Sequence, residues 1–294
     1  MLTTFVILHY LTEKDTNECI DSILKSQKQR NFNIIVVDNA SPNGSGQRLK
    51  ERWQNQENIN VILSRKNLGF AKGNNLGFLK AKKEYKSDFI VLLNNDTIIE
   101  QNNFTEIIEK KFLEKDYAVL GPDIISLMDR GHQNPAVMPI RKTRLDVLTR
   151  IANISFFYFL EIIGVRKYLR RIKRIIFKKE ASVIETVSKK TPEEVENIKL
   201  HGSCLIFSRN YINKMDGLFS KTFMYGEEDI LYYLCNRKGL KLLYSPELYI
   251  YHKESSSTEE EFSSTSNRKK TLFVHKNAII SLWHLYCLMH KKNL

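Results

Sequence analysis

Residues 88–97, with the sequence DFIVLLNNDT, decide the fold of this chain. The apolar run over residues 89–93 is typical of a short strand buried on both faces. The run ends in two amides and a carboxylate, at the edge where open α/β sheets bind ligands. At that edge Asp96 could hold a hard divalent cation, and Asn94 could add a neutral oxygen. A plain strand-to-turn ending is the alternative, because Asn and Asp are common turn residues.

Strand and helix patterns alternate around this stretch. Further strands are predicted over residues 4–10, 33–37, 60–63 and 118–121, and helices over 47–54 and 103–113. Asp15 and Thr16 are the predicted cap of the first helix. Strand and helix in short units predict an α/β fold, with a mostly parallel sheet and helices on both faces.

Charge and cysteine content narrow the function classes. The 294 residues include 46 basic and 33 acidic side chains, a formal net charge of +13. Such an excess suggests an anionic partner, which could be nucleic acid, a membrane surface or a phosphorylated substrate. Four scattered cysteines without a CxxC pair argue against a zinc site or disulfide framework and fit a reducing cytoplasm. We see no signal peptide and no run of the roughly 20 apolar residues that a spanning helix needs.

Two further loops carry residues suited to a nucleotide. Asp38 directly follows a predicted buried strand and could accept a hydrogen bond from a base N–H or a ribose hydroxyl; a capping or Asx-turn role is the alternative. Gly69, Gly73 and Gly77 are spaced by four, with Lys72 among them. Small residues there permit close approach of the backbone, and N–H groups at a helix start favour a phosphate. This spacing is neither the dinucleotide fingerprint nor the P-loop.

These stretches form a specific set when they are taken in order. The strings are FVILHY at 5–10, IIVVDNASPNGS at 34–45, RKNLGFAKGNNLG at 65–77 and FIVLLNNDT at 89–97. Together they closely resemble the nucleotide-sugar half of the family 2 glycosyltransferases, which have the GT-A fold. The resemblance resumes with HGSCLIFSR, FMYGEEDILYYLCNRKG and YSPELYIYHKES, over residues 200–255. Within the family, the chain most resembles the rhamnosyl- and galactofuranosyl-type members, which build bacterial surface polysaccharides.

The resemblance implies roles for residues of the first half. His9 and Tyr10 would flank the nucleobase, and Asp38 would bond its polar edge. The base and diphosphate would be lined by Asn67, Gly69 and Lys72.

The resemblance also implies a metal site and a base. Asn94, Asn95 and Asp96 stand where the family has its Asp-x-Asp motif; the first acid is an amide here, which leaves Asp96 as the main ligand of Mg²⁺ or Mn²⁺. His252 matches a histidine that some members add to the metal or diphosphate.

Glu228 and Asp229 match the Glu-Asp pair in which the aspartate is the catalytic base. The chain departs from many relatives at Leu231, where they carry a further acid. A capping cluster is the alternative for the acids, and a half-buried strand-end histidine is the alternative for His252.

An unusual segment separates the two halves. Residues 151–165 are almost wholly apolar, and residues 165–178 have an amphipathic pattern with basic residues on the polar face. Over 141–179, twelve basic and two acidic residues give a net charge of +10. This pattern predicts an interfacial anchor on an anionic leaflet, and the alternative is a helical insertion packed on the core or on a second subunit.

The segment also sets the predicted boundaries. They are a nucleotide-sugar half at 1–125, the insertion at 126–199, an acceptor and catalytic half at 200–255, and a loop with a C-terminal helix at 256–294.

The sequence thus predicts an inverting hexosyltransferase at the cytoplasmic face of a bacterial membrane. It would move a sugar from a UDP or dTDP donor onto a probably lipid-linked glycan in cell-surface polysaccharide synthesis. One alternative is a basic nucleic-acid-binding protein, but the excess charge is concentrated in one segment and no nucleic-acid-reading motif is present. Another is a catalytically inactive relative that acts as an assembly partner, and Asp96, Asp229 and His252 argue against it.

Overall fold

The strands and helices follow the alternation that the sequence predicts. The structure is a computed structural model, and it describes residues 1–27, 31–136, 140–141, 143–165, 188–254 and 267–291. The strands are β1 Thr3–His9, β2 Phe32–Asp38, β3 Ile59–Leu63, β4 Phe89–Asn94, β5 Thr97–Ile98, β6 Val119–Ser126, β7 Val195–Glu196, β8 Cys204–Ser208 and β9 Leu242–His252. The helices are α1 Glu13–Ser26, α2 Ser45–Trp53, α3 Gly69–Lys83, α4 Phe104–Lys115, α5 Arg144–Ile162, α6 Arg209–Ile212, α7 Glu227–Arg237 and α8 Asn267–His290.

One sheet joins the two halves of the chain. Among the described residues its order is β3-β2-β1-β4-β8-β6-β9-β5, and β7 pairs with β9. The first four strands are parallel, as are β6 and β9, whereas β8 runs antiparallel to both of its neighbours. The predicted α/β class with a mostly parallel sheet is confirmed.

Strand β4 lies in the middle of this sheet, and its apolar run is buried. Residues 89–93 are at most 2% exposed. In β1, Phe5 and Ile7 contribute to one apolar cluster, which includes residues of α1 and α4, while Val6 contributes to the other, which includes residues of α3 and α6. The alternation along β1 therefore buries both faces of the sheet under helices.

Parallel pairing brings three predicted site residues to one edge. His9 is paired with Asp38, and Leu8 with Asn94, at the carboxyl ends of β1, β2 and β4. Asp96 follows β4 in the turn that leads to β5. The edge of the sheet thus collects residues that are far apart in sequence.

The first helix begins earlier than the sequence predicts. Its N-cap is Thr12 and it starts at Glu13, so Asp15 and Thr16 lie inside it rather than capping it. Asp15 instead accepts a hydrogen bond from the Lys253 ammonium at 2.9 Å. A charged partner far along the chain gives this acid its role, and local cap patterns cannot show such a contact.

Helices α5 and α8 pack together as an antiparallel pair. Arg144 at the start of α5 contacts His290 at the end of α8, and Arg268 at the start of α8 donates to the carbonyl of Glu161 near the end of α5. Val147 and Ile154 lie buried on the packed face. The basic part of the predicted amphipathic helix, residues 166–178, lies outside the described residues.

Candidate functional site

A cavity of about 1080 Å³ opens where β1 and β4 end. Its wall combines polar side chains from the edge of the sheet with apolar ones from the α5–α8 pair. The predicted site residues that line it are Tyr10, Asn67, Asn94, Asn95, Asp96, Glu228, Asp229 and His252. The structure therefore brings together residues from both halves of the chain. The lining does not include His9, Asp38, Gly69 or Lys72.

Asp96 and His252 form a pair in the cavity wall. Their Oδ1 and Nε2 atoms lie 3.2 Å apart, and Nδ1 of His252 is hydrogen-bonded to Oε1 of Gln133 at 2.8 Å. Strand β5 pairs with β9, and this pairing holds the residue after Asp96 against His252. His201, whose ring centroid is 6.0 Å from that of His252, was missed by the sequence reasoning. Burial, with a smaller effect of His252, lowers the pKa of His201 to about 4, so its ring is neutral at neutral pH.

The two amides before Asp96 have their backbone and side chains fixed. The backbone N–H of Asn94 donates to the Ser203 carbonyl at 2.9 Å, and this bond links β4 to the start of β8. The Asn95 side-chain nitrogen donates to the hydroxyls of Thr12 at 2.7 Å and Thr16 at 2.9 Å. These bonds anchor the turn to α1, so Asp96 is held on a rigid element.

The donor set around Asp96 can be compared with what a hard divalent cation needs. Among the described residues, no group of three or more His, Cys, Asp or Glu side chains is placed to hold a metal ion. Asp96 and His252 offer one carboxylate and one imidazole, both almost completely buried. Mg²⁺ is commonly held by one or two carboxylates together with substrate phosphates and water. The residues present therefore fit a metal that binds together with a diphosphate.

Asn39 organises the wall near the predicted donor residues. Its side-chain nitrogen donates to Oδ1 of Asn67 at 3.0 Å, and its Oδ1 accepts from the Leu68 amide at 2.8 Å. Oδ1 of Asn67 also accepts from the Gly69 amide at 2.9 Å. Asn39 lines the cavity, and sequence reasoning passed over it in favour of Asp38.

His9 and Asp38 lie together but are turned into the protein. Both ring nitrogens of His9 are hydrogen-bonded, to the hydroxyls of Thr16 and Ser45, each at 2.7 Å. Burial lowers the pKa of His9 to about 4, although Asp38 acts in the opposite direction. A side chain at Gly46 would place its Cβ 2.3 Å from Cγ of Asp38, so α2 approaches this acid closely. The hydrogen bonds of the His9 ring are thus used within the fold.

Gly69 connects two walls of the cavity rather than lining it. Its φ is +77°, and a Cβ there would lie 2.2 Å from the Phe223 carbonyl oxygen. That carbonyl accepts from the Phe70 amide at 2.6 Å. Glycine is required because no side chain fits between the loops. Lys72, in the next turn of α3, is exposed.

Asp229 lies in the first turn of α7 and is paired with cations. The Lys199 ammonium donates to its Oδ1 at 3.1 Å, and Nε of Arg141 is 4.0 Å from its Oδ2. Lys199 is 3% exposed and, like Arg141, lines the cavity. Sequence reasoning missed both cations; the only signal was the position of Lys199 next to the HGSC string.

Glu228 and Glu227 differ from Asp229 in their surroundings. A Cβ at Gly202 would lie 2.6 Å from Oε1 of Glu228, so this acid packs tightly against the chain before β8. Burial, with a smaller effect of Asp229, raises the pKa of Glu228. Burial raises the pKa of Glu227 to about 7, with help from Glu228. The structure therefore separates a cation-paired acid from two desolvated ones.

The α5–α8 pair adds apolar side chains to the lining. Helix α5 contributes Ile154 and Phe157, and α8 contributes Val274, Ala278 and Leu282. The same helices also contribute Arg150, Asn153 and His275. A lining that mixes polar and apolar side chains suits a ligand with both polar and apolar parts.

The chain is similar in sequence to known glycosyltransferases. A family model described as "Glycosyl transferase family 2" matches residues 4–172. Glycosyltransferase GlyG of Streptococcus pneumoniae is 33% identical over 120 residues, which are 40% of this chain and 38% of GlyG. The low-salt glycan biosynthesis hexosyltransferase Agl10 of Haloferax volcanii is 21% identical over 243 residues, which are 81% of this chain and 63% of Agl10. The chain thus spans less than two thirds of the length of either relative.

Solved structures show the fold. The crystal structure of S. aureus TarS 1-349 in complex with UDP has a TM-score of 0.52 at 15% identity, and the match covers 94% of this chain and 65% of that one. The crystal structure of S. aureus TarS also has a TM-score of 0.52, over 100% of this chain and 46% of that one. These matches confirm the predicted GT-A type of the α/β sheet.

Proposed function

The chain belongs to glycosyl transferase family 2, and from this premise we propose that it transfers a hexose from a UDP or dTDP donor with inversion. One observation carries the proposal: a single cavity contains the Asp96–His252 pair at one wall and Asp229 with its cations at another. Agl10 is described as a hexosyltransferase, and TarS was crystallised with UDP. Both descriptions support the donor class.

The proposed chemistry assigns separate tasks to the two walls. Transfer requires the negative charge on the leaving diphosphate to be neutralised, and a divalent metal held by Asp96 and His252 would supply a Lewis acid there. It also requires an acceptor hydroxyl to lose its proton as it attacks, and Asp229 is the acid proposed for that task. The buried Lys199 keeps the Asp229 carboxylate in one orientation.

A panel of nucleotides tests the proposed donor class directly. We expect UDP or dTDP, and one hexose conjugate of either, to bind in the presence of Mg²⁺ or Mn²⁺ with micromolar affinity by calorimetry. ADP and GDP serve as controls for nonspecific attraction to the basic chain. Equal binding of all four nucleotides, or binding of none, would contradict the proposed donor. Rhamnosyl and galactofuranosyl conjugates belong in the panel, because the proposed role is in surface polysaccharide and cell-wall synthesis.

The proposed acceptor is a glycan linked to a lipid, at the cytoplasmic side of the membrane. The apolar side chains that α5 and α8 add to the lining support an acceptor with an apolar extension, since Ile154, Phe157 and Leu282 would contact it. Among the described residues, no helix combines the length and hydropathy that crossing a bilayer needs. A peripheral contact would then bring such an acceptor to the site.

The outward face of α5 supports that peripheral contact. Apolar side chains recur there at helical spacing, with exposed fractions of 68%, 38%, 59% and 57% for Leu145, Leu148, Phe156 and Phe159. They lie opposite the buried residues Val147 and Ile154, since 3.6 residues make one turn. The strongly basic sequence around this helix favours an anionic lipid surface as the partner.

Removing the two outward phenylalanines should weaken membrane binding. We expect the double variant Phe156→Ser and Phe159→Ser to partition at least about 10-fold less onto phosphatidylglycerol vesicles, because each buried ring contributes roughly 1.5–3 kcal/mol. Co-sedimentation measures the partition coefficient. The matched control replaces Leu113 and Met128, which are 73% and 74% exposed and lie outside α5 and α8. Vesicle binding that survives in the α5 variant, or that falls equally in the control, would contradict this contact. Tighter binding to an oligonucleotide than to vesicles would favour the nucleic-acid alternative.

A further inference from the structure

A buried aspartate orients a histidine in the cavity wall. Nδ1 of His132 lies 2.8 and 3.0 Å from the two carboxylate oxygens of Asp123. Asp123, in β6, is 0% exposed, and His132 lines the cavity. Neither residue belongs to a motif that the sequence analysis singled out. A completely buried carboxylate therefore fixes the orientation of a ring that lines the cavity.

The backbone of His132 is fixed from both directions. Its amide donates to the Ser188 carbonyl at 2.9 Å, and the Ser188 hydroxyl donates to the His132 carbonyl. His132 also forms an isolated antiparallel bridge with Ile125 of β6. Lys190 lies 3.8 Å from Asp123 and balances the buried charge. The ring therefore has one preferred position.

The next two residues contact two further histidines of the cavity lining, His252 and His201. Gln133 bonds the ring of His252, and Oδ1 of Asn134 accepts from the His201 amide at 3.0 Å. The short segment 132–134 thus carries His132 and contacts two further histidines of the lining. One of them, His252, pairs with Asp96 of the proposed diphosphate site.

The hydrogen bond to Asp123 determines what the ring can do. A carboxylate accepts, so Nδ1 carries the proton, and the lone pair of the neutral ring is on Nε2. An acceptor nitrogen in such a pair can accept a hydrogen bond from a hydroxyl. Carbohydrates present many hydroxyl donors, and an Nε2 acceptor on a residue that lines the cavity can receive one of them.

We propose that His132, oriented by Asp123, accepts a hydrogen bond from one carbohydrate hydroxyl in the cavity and so selects the sugar. This inference rests on the proposed function, because that function supplies the carbohydrate. The hydroxyl belongs either to the sugar of the donor or to the acceptor glycan. His132 is a specificity residue in this account, and the transfer step itself does not pass through it.

The variant Asp123→Asn tests the tautomer with little change in shape. An amide can donate to Nδ1, which moves the ring proton to Nε2 and turns the acceptor into a donor. We expect about 10-fold weaker binding of the best nucleotide sugar of the panel, with the affinity for the free nucleoside diphosphate unchanged. If the hydroxyl belongs to the acceptor, the KM for the acceptor rises by the same factor instead. Calorimetry and steady-state kinetics separate the two cases.

Deoxyfluoro analogues of the nucleotide sugar and of the acceptor identify the hydroxyl. With the analogue that lacks the right hydroxyl, wild type and Asp123→Asn should bind equally, because the interaction is already lost. The double variant Asp123→Leu and His132→Phe removes both partners without leaving a buried charge unpaired, and it should give the same pattern. His284→Gln, a histidine outside the cavity lining, is the matched control.

The outcomes separate this inference from the proposed function. Equal losses for the nucleoside diphosphate and the nucleotide sugar, or unchanged binding and KM values, would overturn the role of His132 while leaving the donor class intact. Losses that follow the melting temperature across all variants would assign the pair a structural role and overturn it too. A wild-type chain that binds no nucleotide sugar overturns the proposed function and this inference with it.

Discussion

Asp229→Asn should lower transfer by about 100-fold or more while the affinity for the nucleotide sugar persists. The amide has the shape of the carboxylate and can still accept a hydrogen bond from Lys199, which lies 3.1 Å from Oδ1. It cannot take a proton from the acceptor hydroxyl, however, so only the chemical step should suffer. Single-turnover transfer and calorimetric donor binding measure the two quantities separately.

Glu228→Gln is the matched control for this prediction, and it should cost less in the chemical step. Glu228 packs against Gly202, whereas Asp229 interacts with Lys199 and Arg141 at the cavity wall. If Asp229→Asn transfers normally and Glu228→Gln has no transfer activity, Glu228 is the base. If both variants lose donor binding in step with transfer, the acids are a binding or structural cluster and the base lies elsewhere.

Asp96→Asn should abolish metal-dependent binding of the donor while the fold remains intact. The change removes the anionic oxygen that lies 3.2 Å from Nε2 of His252, and a neutral amide is a poor ligand for a hard cation. Calorimetry of the nucleotide sugar in Mg²⁺ or Mn²⁺, and again in excess EDTA, gives the metal-dependent part of the affinity. Circular dichroism checks the fold.

The control for Asp96→Asn is Asp21→Asn, an exposed acid on α1 outside the cavity lining. It should bind the donor as wild type does, with the same dependence on metal. Full transfer activity of Asp96→Asn, or of wild type in excess EDTA, would contradict the proposed requirement for a metal. The Asp96–His252 pair would then be a hydrogen-bonded contact of the fold.

The central strand illustrates what could be predicted from sequence. Residues 89–93 are apolar without interruption, and only a strand in the middle of a covered sheet buries both faces. The polar residues that follow this strand lie at the carboxyl edge of the sheet. The position of Asn94 and Asp96 at the cavity could therefore be predicted. The length of an apolar run and the position of polar residues after it are local properties, so they can be read from the sequence.

Contacts across long distances in sequence could not be predicted in the same way. Lys199 precedes β8 and contacts Asp229 at the start of α7, 30 residues later. His132 contacts Asp123 where the chain folds back on β6. His9, which the resemblance implies at the nucleobase, has ring nitrogens that bond Thr16 and Ser45, and these partners could not be predicted from its position at a strand end. Whether a polar side chain faces a cavity or the core depends on those partners.

The anomeric configuration of the product shows whether transfer proceeds by a single displacement. The chain is incubated with the best nucleotide sugar of the panel, a divalent metal and a lipid-linked or short glycan acceptor, and the new glycosidic bond is analysed by NMR. A single displacement assisted by Asp229 predicts a product whose anomeric configuration is opposite to that of the donor. Retention of the donor configuration, or the absence of transfer from every nucleotide sugar that binds, would contradict the account.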